Sequence, residues 1–304
     1  MKKDFLKMQD LDRDELFNLL DLASDLKDKQ KKGIPHKILE GKTLGMIFEK
    51  SSTRTRVSFE TGIYQLGGMG LFLSSKETQL GRGEPIKDTA RVLSRYLDGI
   101  MIRTFGQEIV EELAEYSSIP VINALTDYAH PCQILADLLT IREHKGNFEG
   151  RKMCFIGDGA NNMANSLVVG GLMAGMDVAV ATPKGYEPDP TVLKYAEQYK
   201  GKFTLTESVK EAAEDCDALF TDVWSSMGME AEIEERKRIF AQYQINADVM
   251  SVAKKDAMVQ HCLPAHRGEE ITDEVFEAHA DEIFDEAENR LHAQKAVMAT
   301  LMRG

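Results

Sequence analysis

Cysteine is scarce in this chain. There are four in 304 residues, at positions 132, 154, 216 and 262, and none stands in a C-x-x-C pair. That spacing argues against a zinc knuckle or a thioredoxin-type motif. It leaves reduced thiols, three of which read as small buried hydrophobes. No apolar run approaches the roughly 18 residues that a membrane span requires. The N-terminus, MKKDFLKMQDLDRDEL, opens on lysines with no apolar segment behind them, so it does not read as a signal peptide. The expected compartment is the cytoplasm. Positive charge is in deficit: 37 Lys and Arg against 50 Asp and Glu give a net charge of -13. A field of that sign repels nucleic acid and anionic membrane alike. There is no low-complexity tract and no repeat at a period of 20 to 50 residues.

What is present is an ordinary globular balance, 43% hydrophobic and 29% charged, in a chain long enough for two α/β domains of about 150 residues. Leu16, Leu19, Leu20, Leu22 and Ala23 share one face of a helix over Asp10 to Lys31. Short apolar runs predict strands at 43–48, 70–73, 99–103 and 121–123, with helical patterns between them. After Gly146 the alternation restarts, with strands at 152–157, 177–182, 218–222 and 258–262. A helix is expected over 131–145, another over 166–174, and a last one over about 285–301. Strands that alternate with helices imply parallel sheets. The fold class is α/β, two doubly wound parallel-sheet domains with the active site in the cleft between them. The first domain spans 1–146 and the second 147–285, and the helix over about 286–304 packs back on the first.

Five polar motifs fall at the expected strand ends. Ser51-Ser52-Thr53-Arg54-Thr55-Arg56 follows the first strand. Hydroxyls and backbone N–H groups at a helix start hold an anion, and an arginine there adds a permanently charged clamp for phosphate. A plain helix cap would also use these serines and threonines. Arg54 and Arg56 cannot both reach one ligand, so one of them is expected to be structural. His130-Pro131-Cys132-Gln133 places a histidine at a helix N-terminus, where a neutral imidazole is favoured; a structural cap is the competing reading. Gly157-Asp158-Gly159-Ala160-Asn161-Asn162 lies between a strand and a helix but lacks the third glycine of a dinucleotide fingerprint. Asp222-Val223-Trp224-Ser225-Ser226-Met227-Gly228 offers an acid for an amine and a loop that can close over it; Trp224 can equally be packing. His261-Cys262-Leu263-Pro264 presents a thiol at a strand end, as acid, base, nucleophile or buried structure, followed by an extended turn at Leu-Pro.

Taken in order, S-T-R-T-R after a strand, H-P-x-Q, an Asp followed four residues later by S-M-G, and H-C-L-P resemble the aspartate/ornithine carbamoyltransferase family across essentially the whole chain. The first two are similar to the carbamoyl-phosphate half that the family shares; the last two are similar to its ornithine branch. The resemblance implies carbamoyl transfer from carbamoyl phosphate to the side-chain amine of L-ornithine, without metal or organic cofactor. It implies that Ser52, Thr53, Arg54 and Thr55 hold the phosphate and that Arg103 bridges phosphate and carbonyl oxygen. His130 and Gln133 would hold the carbamoyl end, with Arg290 also contacting carbamoyl phosphate and Gln79 reaching it from a neighbouring subunit. Asn162, Asp222, Ser226 and Met227 would bind ornithine, with Cys262 and Leu263 near the reacting amine and carbamoyl group. Arg54, Arg103, His130 and Cys262 would carry the chemistry. The family is built on trimers, so a homotrimer or a multiple of trimers is expected. After H-C-L-P-A the chain reads His266-Arg267 where some relatives have Phe-His, which touches loop detail alone.

A non-catalytic phosphate-binding module would require a broken site, and every expected position is present; two enzyme readings compete with carbamoyl transfer to ornithine. A carbamoyltransferase for putrescine or an acylated ornithine would share the first half of the site. An NAD-dependent dehydrogenase would rest on the incomplete G-D-G turn alone.

Overall fold

The run Thr43–Phe48 forms β1 with five of its six residues buried, the pattern of a strand covered on both faces in a parallel sheet. The computed structural model describes residues 3–75, 83–225 and 230–303. Their contacts divide the chain into two units, Met1–Leu139 with Asn289–Gly304, and Thr140–Glu288. No helix among the described residues is long and apolar enough to cross a membrane.

The first unit carries a four-stranded parallel sheet in the order β2-β1-β3-β4, with β2 at Met69–Ser74, β3 at Gly99–Arg103 and β4 at Val121–Leu125. Its helices are α1 (Arg13–Lys31), α2 (Thr53–Gln65), α3 (Ile86–Leu93), α4 (Gln107–Tyr116) and the start of α5 (Pro131–Lys145). Asp12 caps α1 and exchanges hydrogen bonds with Glu15, 2.8 Å and 3.0 Å, a capping box that fixes where the helix begins. Leu16, Leu19, Leu20, Ala23 and Leu26 then turn inward at helical spacing. Ile47, Ile100, Ile102, Val110, Leu113 and Val121 form a core between sheet and helices. Beside α1 and the end of α2 lies Lys295, fully buried; its ammonium donates to Gln65 Oε1 at 3.0 Å and to the Leu26 carbonyl at 3.4 Å, and lies 3.2 Å from His36 Nε2. Burial pushes the Lys295 amine down to about 8.

The second unit carries five parallel strands in the order β7-β6-β5-β8-β9: β5 Lys152–Ile156, β6 Asp177–Ala181, β7 Phe203–Thr206, β8 Ala218–Thr221 and β9 Met258–His261. The helices are α6 (Asn162–Ala174), α7 (Pro190–Ala196), α8 (Val209–Ala213), α9 (Ile233–Phe240), α10 (Ala247–Met250), α11 (Asp273–Ala278) and α12 (Ala280–Met302), whose later residues belong to the first unit. Trp224 is packing: it is buried and stacks on Phe240 with ring centroids 6.3 Å apart.

The strands expected from the sequence are present, within a residue or two at each end. β7 was not foreseen. It is an edge strand with exposed central residues, so it lacks the apolar run that marks a buried one. The helix expected from Ser166 begins at Asn162, because Asn161 caps it by accepting from Ala164 N at 2.8 Å. The last helix begins at Ala280 rather than 285. All four cysteines are free; three are buried and Cys262 is half-buried.

Candidate active site

In the first unit the expected anion-binding residues gather at the carboxyl edge of the sheet, where ligands of open α/β sheets bind. Ser52 caps α2, accepting from Thr55 N at 3.2 Å. Its hydroxyl also donates to Thr55 Oγ1 at 3.1 Å. Thr55 is buried, and its Oγ1 receives Arg290 Nη2 at 3.3 Å. The same guanidinium donates through Nη1 to Gln133 Oε1 at 2.6 Å. Arg290 therefore ties α12 to the starts of both α2 and α5. Gln133 passes the contact on, donating Nε2 to Asp137 Oδ1 at 2.8 Å. Gln294, in the amide orientation that satisfies both of its ends, accepts from Arg290 Nη2 and Nε at 3.0 Å and 3.2 Å.

Arg103 ends β3 and is buried. His130 precedes Pro131 and is buried, with its carbonyl accepting from Gln133 N at 3.0 Å. Burial holds the His130 ring well below its ordinary pKa, and Arg290, Arg103 and Arg54 push it further down. The imidazole is thus neutral, as a hydrogen-bond donor to a polarised carbonyl should be. The causes are burial and three guanidinium groups rather than the helix terminus alone. Of the two arginines in the first motif, Arg56 is the structural one: it lies over the Phe72 ring at 3.8 Å and pairs with Glu60 at 3.4 Å. Thr53 is exposed and Arg54 half-buried at the same helix start. Gln79 lies outside the described residues.

The second unit brings Asp222, Cys262, His261 and Asn161 together at the ends of β8, β9 and β5. Cys262 Sγ–H donates to Asp222 Oδ1 at 3.2 Å, and Val223 N donates to the same oxygen at 2.8 Å. Burial raises the Asp222 carboxyl; His261, Cys262 and Val223 pull it back, and Glu270 adds to the rise. Asn161 Nδ2 reaches Asp222 Oδ2 at 3.5 Å. Asn162, which the sequence singled out, is the first residue of α6, directly after the asparagine that reaches Asp222. Ser226 and Met227 lie outside the described residues.

Leu263 departs from expectation. In place of an extended conformation it has φ of 60°, a left-handed backbone that a leucine adopts only under constraint. The constraint is visible: Leu263 N donates back to His261 Nδ1 at 2.9 Å, while His261 Nε2 lies 2.9 Å from Glu270 Oε1. Nδ1 therefore carries no proton and Nε2 donates. Glu270 also accepts from His266 N at 2.6 Å, and His261 N donates to Glu286 Oε2 at 2.8 Å. Asp222, His261 and Cys262 each offer a ligating atom within 4.8 Å of the others. A cation there would have to displace one of the bonds that already occupy both His261 nitrogens.

The G-D-G turn serves the fold. Asp158 is buried and paired with Arg236, which also donates to the Trp224 carbonyl. A Cβ on Gly159 would stand 2.6 Å from the Tyr186 carbonyl oxygen. The glycine thus admits the chain's own backbone, where a dinucleotide site would use it to admit a pyrophosphate. Asp137, Gln294, Glu270 and Arg236 were given no role in the sequence reading, and Asn161 was named there only as part of the G-D-G motif. Asp137 and Gln294 carried a weak signal, lying one helical turn beyond Gln133 and Arg290.

Residues 3–143 match the family described as aspartate/ornithine carbamoyltransferase, carbamoyl-P binding domain, and residues 149–301 match its Asp/Orn binding domain. The chain is 60% identical to the ornithine carbamoyltransferase of Syntrophotalea carbinolica over 99% of this chain and 100% of that one. It is 57% identical to that of Pelobacter propionicus over the full length of both. Among solved structures, ornithine carbamoyltransferase from Pyrococcus furiosus superposes with a TM-score of 0.94 at 52% identity, covering 100% of this chain and 98% of the other. Anabolic ornithine carbamoyltransferase from Campylobacter jejuni superposes with a TM-score of 0.92 at 45% identity, covering 98% of each.

Proposed function

The chain belongs to the aspartate/ornithine carbamoyltransferase family, and from that membership we propose that it transfers the carbamoyl group of carbamoyl phosphate to the side-chain amine of L-ornithine, giving L-citrulline and phosphate. The observation that carries this reading is the buried Arg290 fork on Thr55 and Gln133 beside a neutral His130. A permanently charged group set among hydrogen-bond donors suits an acyl phosphate. The carboxyl–thiol pair of Asp222 and Cys262 suits an amine, and an anionic pocket of that kind disfavours the second carboxylate of aspartate.

The first domain, residues 1–146 with the helix over about 286–304, takes carbamoyl phosphate. Ser52, Thr53, Arg54 and Thr55 hold its phosphate together with Arg103 and Arg290, Gln133 holds the carbamoyl end, and Gln79 reaches it from a neighbouring subunit. The second domain, residues 147–285, takes ornithine through Asn162, Asp222, Ser226 and Met227. Free ornithine carries its side-chain amine protonated, with a pKa of about 10.4. Asp222 holds the α-ammonium, and Cys262, with Leu263 beside it, handles the reacting amine. One proton leaves the ammonium to solvent before attack; as the neutral nitrogen attacks the carbonyl carbon, negative charge grows on the old carbonyl oxygen, and the second proton leaves the nitrogen with the departing phosphate. Thr55, Arg103 and His130 donate to it, each well-placed donor contributing roughly 3 kcal/mol. Phosphate then departs towards Arg54 and Arg103. Carbamoyl phosphate is already activated, so the scheme needs no metal or organic cofactor.

Carbamoyl phosphate binds first, and the 226–228 loop closes after ornithine arrives. The enzyme works in the cytoplasm as a homotrimer or a multiple of trimers. The exposed apolar side chains Val57 on α2 and Met69, Leu71 and Phe72 on the edge strand β2 support self-association, since a single copy leaves them partly in water.

The experiment is citrulline formation from carbamoyl phosphate with L-ornithine, run beside putrescine, N-acetylornithine and L-aspartate. Turnover with ornithine alone is expected. Turnover with another amine would retain the carbamoyl-phosphate half of the reading and overturn the ornithine half.

A further inference from the structure

Three groups of the carbamoyl-phosphate ligands proposed above, Ser52 to Thr55, Arg103 and His130, stand at or just after the ends of β1, β3 and β4. Binding one small dianion requires those segments to keep a fixed spacing. Lys50 is the side chain that spans them. It follows β1, two residues before the cap of α2, and is almost fully buried. Its ammonium lies over the Phe105 ring, just after β3, at 4.3 Å from the centroid, and pairs with Asp127, just after β4. In the sheet order, β4 is two strands from β1, about 9–10 Å at ordinary strand spacing. A long, straight cationic side chain is what crosses that gap.

The backbone joins the same three loops. Glu49 N donates to the Arg103 carbonyl at 2.9 Å, and Asp127 N donates to the Phe105 carbonyl at 2.8 Å. Thr104 Oγ1 donates to the Glu49 carboxylate. Thr126 N donates to the Ala129 carbonyl at 2.9 Å, closing the turn that delivers His130. Lys50 is thus bolted at one end to the loop of Ser52 to Thr55, passes the loop of Arg103, and ends on the loop of His130.

We infer that Lys50, with Asp127, is a positioning residue that sets the spacing of the three carbamoyl-phosphate-binding segments after β1, β3 and β4 and thereby the affinity for carbamoyl phosphate. The inference rests on the functional reading above. Lys50 touches neither substrate in this scheme. It acts through the loops, so its effect belongs in the binding of the phosphate compound rather than in the chemical step or in ornithine binding.

The test compares Lys50→Met, Lys50→Arg and Asp127→Ala with the unchanged enzyme. The readouts are KM for both substrates, kcat, the Kd of inorganic phosphate by calorimetry, and the melting temperature. Lys50→Met keeps the stem and removes the charge. It is expected to raise KM for carbamoyl phosphate and the phosphate Kd together, by about tenfold, with kcat and KM for ornithine within about threefold. Lys50→Arg is expected to recover most of the loss, since a guanidinium can stack on Phe105 and pair with Asp127. Asp127→Ala alters an exposed carboxylate, so it decides the matter even if Lys50→Met fails to fold; it should shift KM the same way at an unchanged melting temperature. Melting temperatures that fall while phosphate Kd and KM stay put would reduce Lys50 to packing and overturn the inference. If the unchanged enzyme bound phosphate but transferred nothing to ornithine, the functional reading would fail, and the ranking of phosphate Kd values would still judge Lys50.

Discussion

Cys262 donates its thiol to Asp222 Oδ1 across 3.2 Å, which couples the residue proposed to handle the reacting amine to the one proposed to hold the α-ammonium. The pair joins the ends of β9 and β8, adjacent strands in register from Ala218 opposite Met258 to Thr221 opposite His261. Neither side chain can move without disturbing the other.

Asp222→Asn separates function from stability. Burial raises the Asp222 carboxyl. A raised carboxyl contributes stability below its ordinary pKa and loses it as pH climbs through the folded value, so the ionised group is a burden at pH 8. The asparagine variant is expected to melt about 1–3 °C higher at pH 8, with the gain shrinking towards pH 4. Its KM for ornithine should rise about a hundredfold or more. Scanning calorimetry beside initial rates measures both, and a lower melting temperature at pH 8 would contradict the account.

Arg290→Lys keeps the charge and loses the fork. A lysine cannot serve Thr55 and Gln133 together in the geometry of the guanidinium, which here spans 2.6 Å and 3.3 Å contacts. KM for carbamoyl phosphate is expected to rise by at least about tenfold, with little change in KM for ornithine. Equal rises in both would show that Arg290 supports the fold at large.

Acid sensitivity should trace to two buried histidines. His292 is pushed down to about 3, by burial first and then by Lys295, Lys27, Lys31 and His36; His130 is also held well down. Both rings take a proton more readily in the unfolded chain than in the folded one. Stability is therefore intact above about pH 6.5 and falls on acidification, by up to about 1.4 kcal/mol per pH unit for each ring. His292→Gln is expected to flatten the fall in melting temperature between pH 7 and pH 5 by about half. An unchanged slope would place the acid-sensitive groups elsewhere.

Gly159→Ala tests the reading of the G-D-G turn. The new Cβ would meet the Tyr186 carbonyl at 2.6 Å, and the variant should lose about 1–3 kcal/mol of stability. Mixing the unchanged enzyme with NADH should leave the cofactor's fluorescence untouched. Enhancement or a blue shift on mixing would reopen the dinucleotide reading.

Much of the architecture was legible because buried parallel strands write themselves as apolar runs; TLGMIF and DVAVA are unmistakable. β7 was not legible, since FTLT lies at an edge and is half in water. The motifs located the site because each sits at a strand end, where the chain turns and polar groups collect. Their mutual wiring was hidden. That Arg290 meets Thr55, 235 positions away in the chain, follows from how α12 packs in the first unit, and no local pattern encodes it. The left-handed Leu263 was hidden for the opposite reason: the cause, the His261 ring two residues back, is local but depends on a tautomer fixed by Glu270.

Lys295 has a chemical consequence beyond packing. A lysine pushed down to about 8 loses its proton more readily near neutral pH than an ordinary one. An unprotonated amine is a nucleophile, and carbamoyl phosphate decomposes in water to cyanate, which carbamylates amines. The proposed substrate thus releases a reagent for neutral amines; opened to water, Lys295 would lose the burial that lowers its pKa and return to an ordinary lysine's protonation. Its complete burial, with Gln65, His36 and the Leu26 carbonyl around the nitrogen, makes the folded state its chemical protection. Carbamylation of Lys295 would therefore record how often the first unit opens.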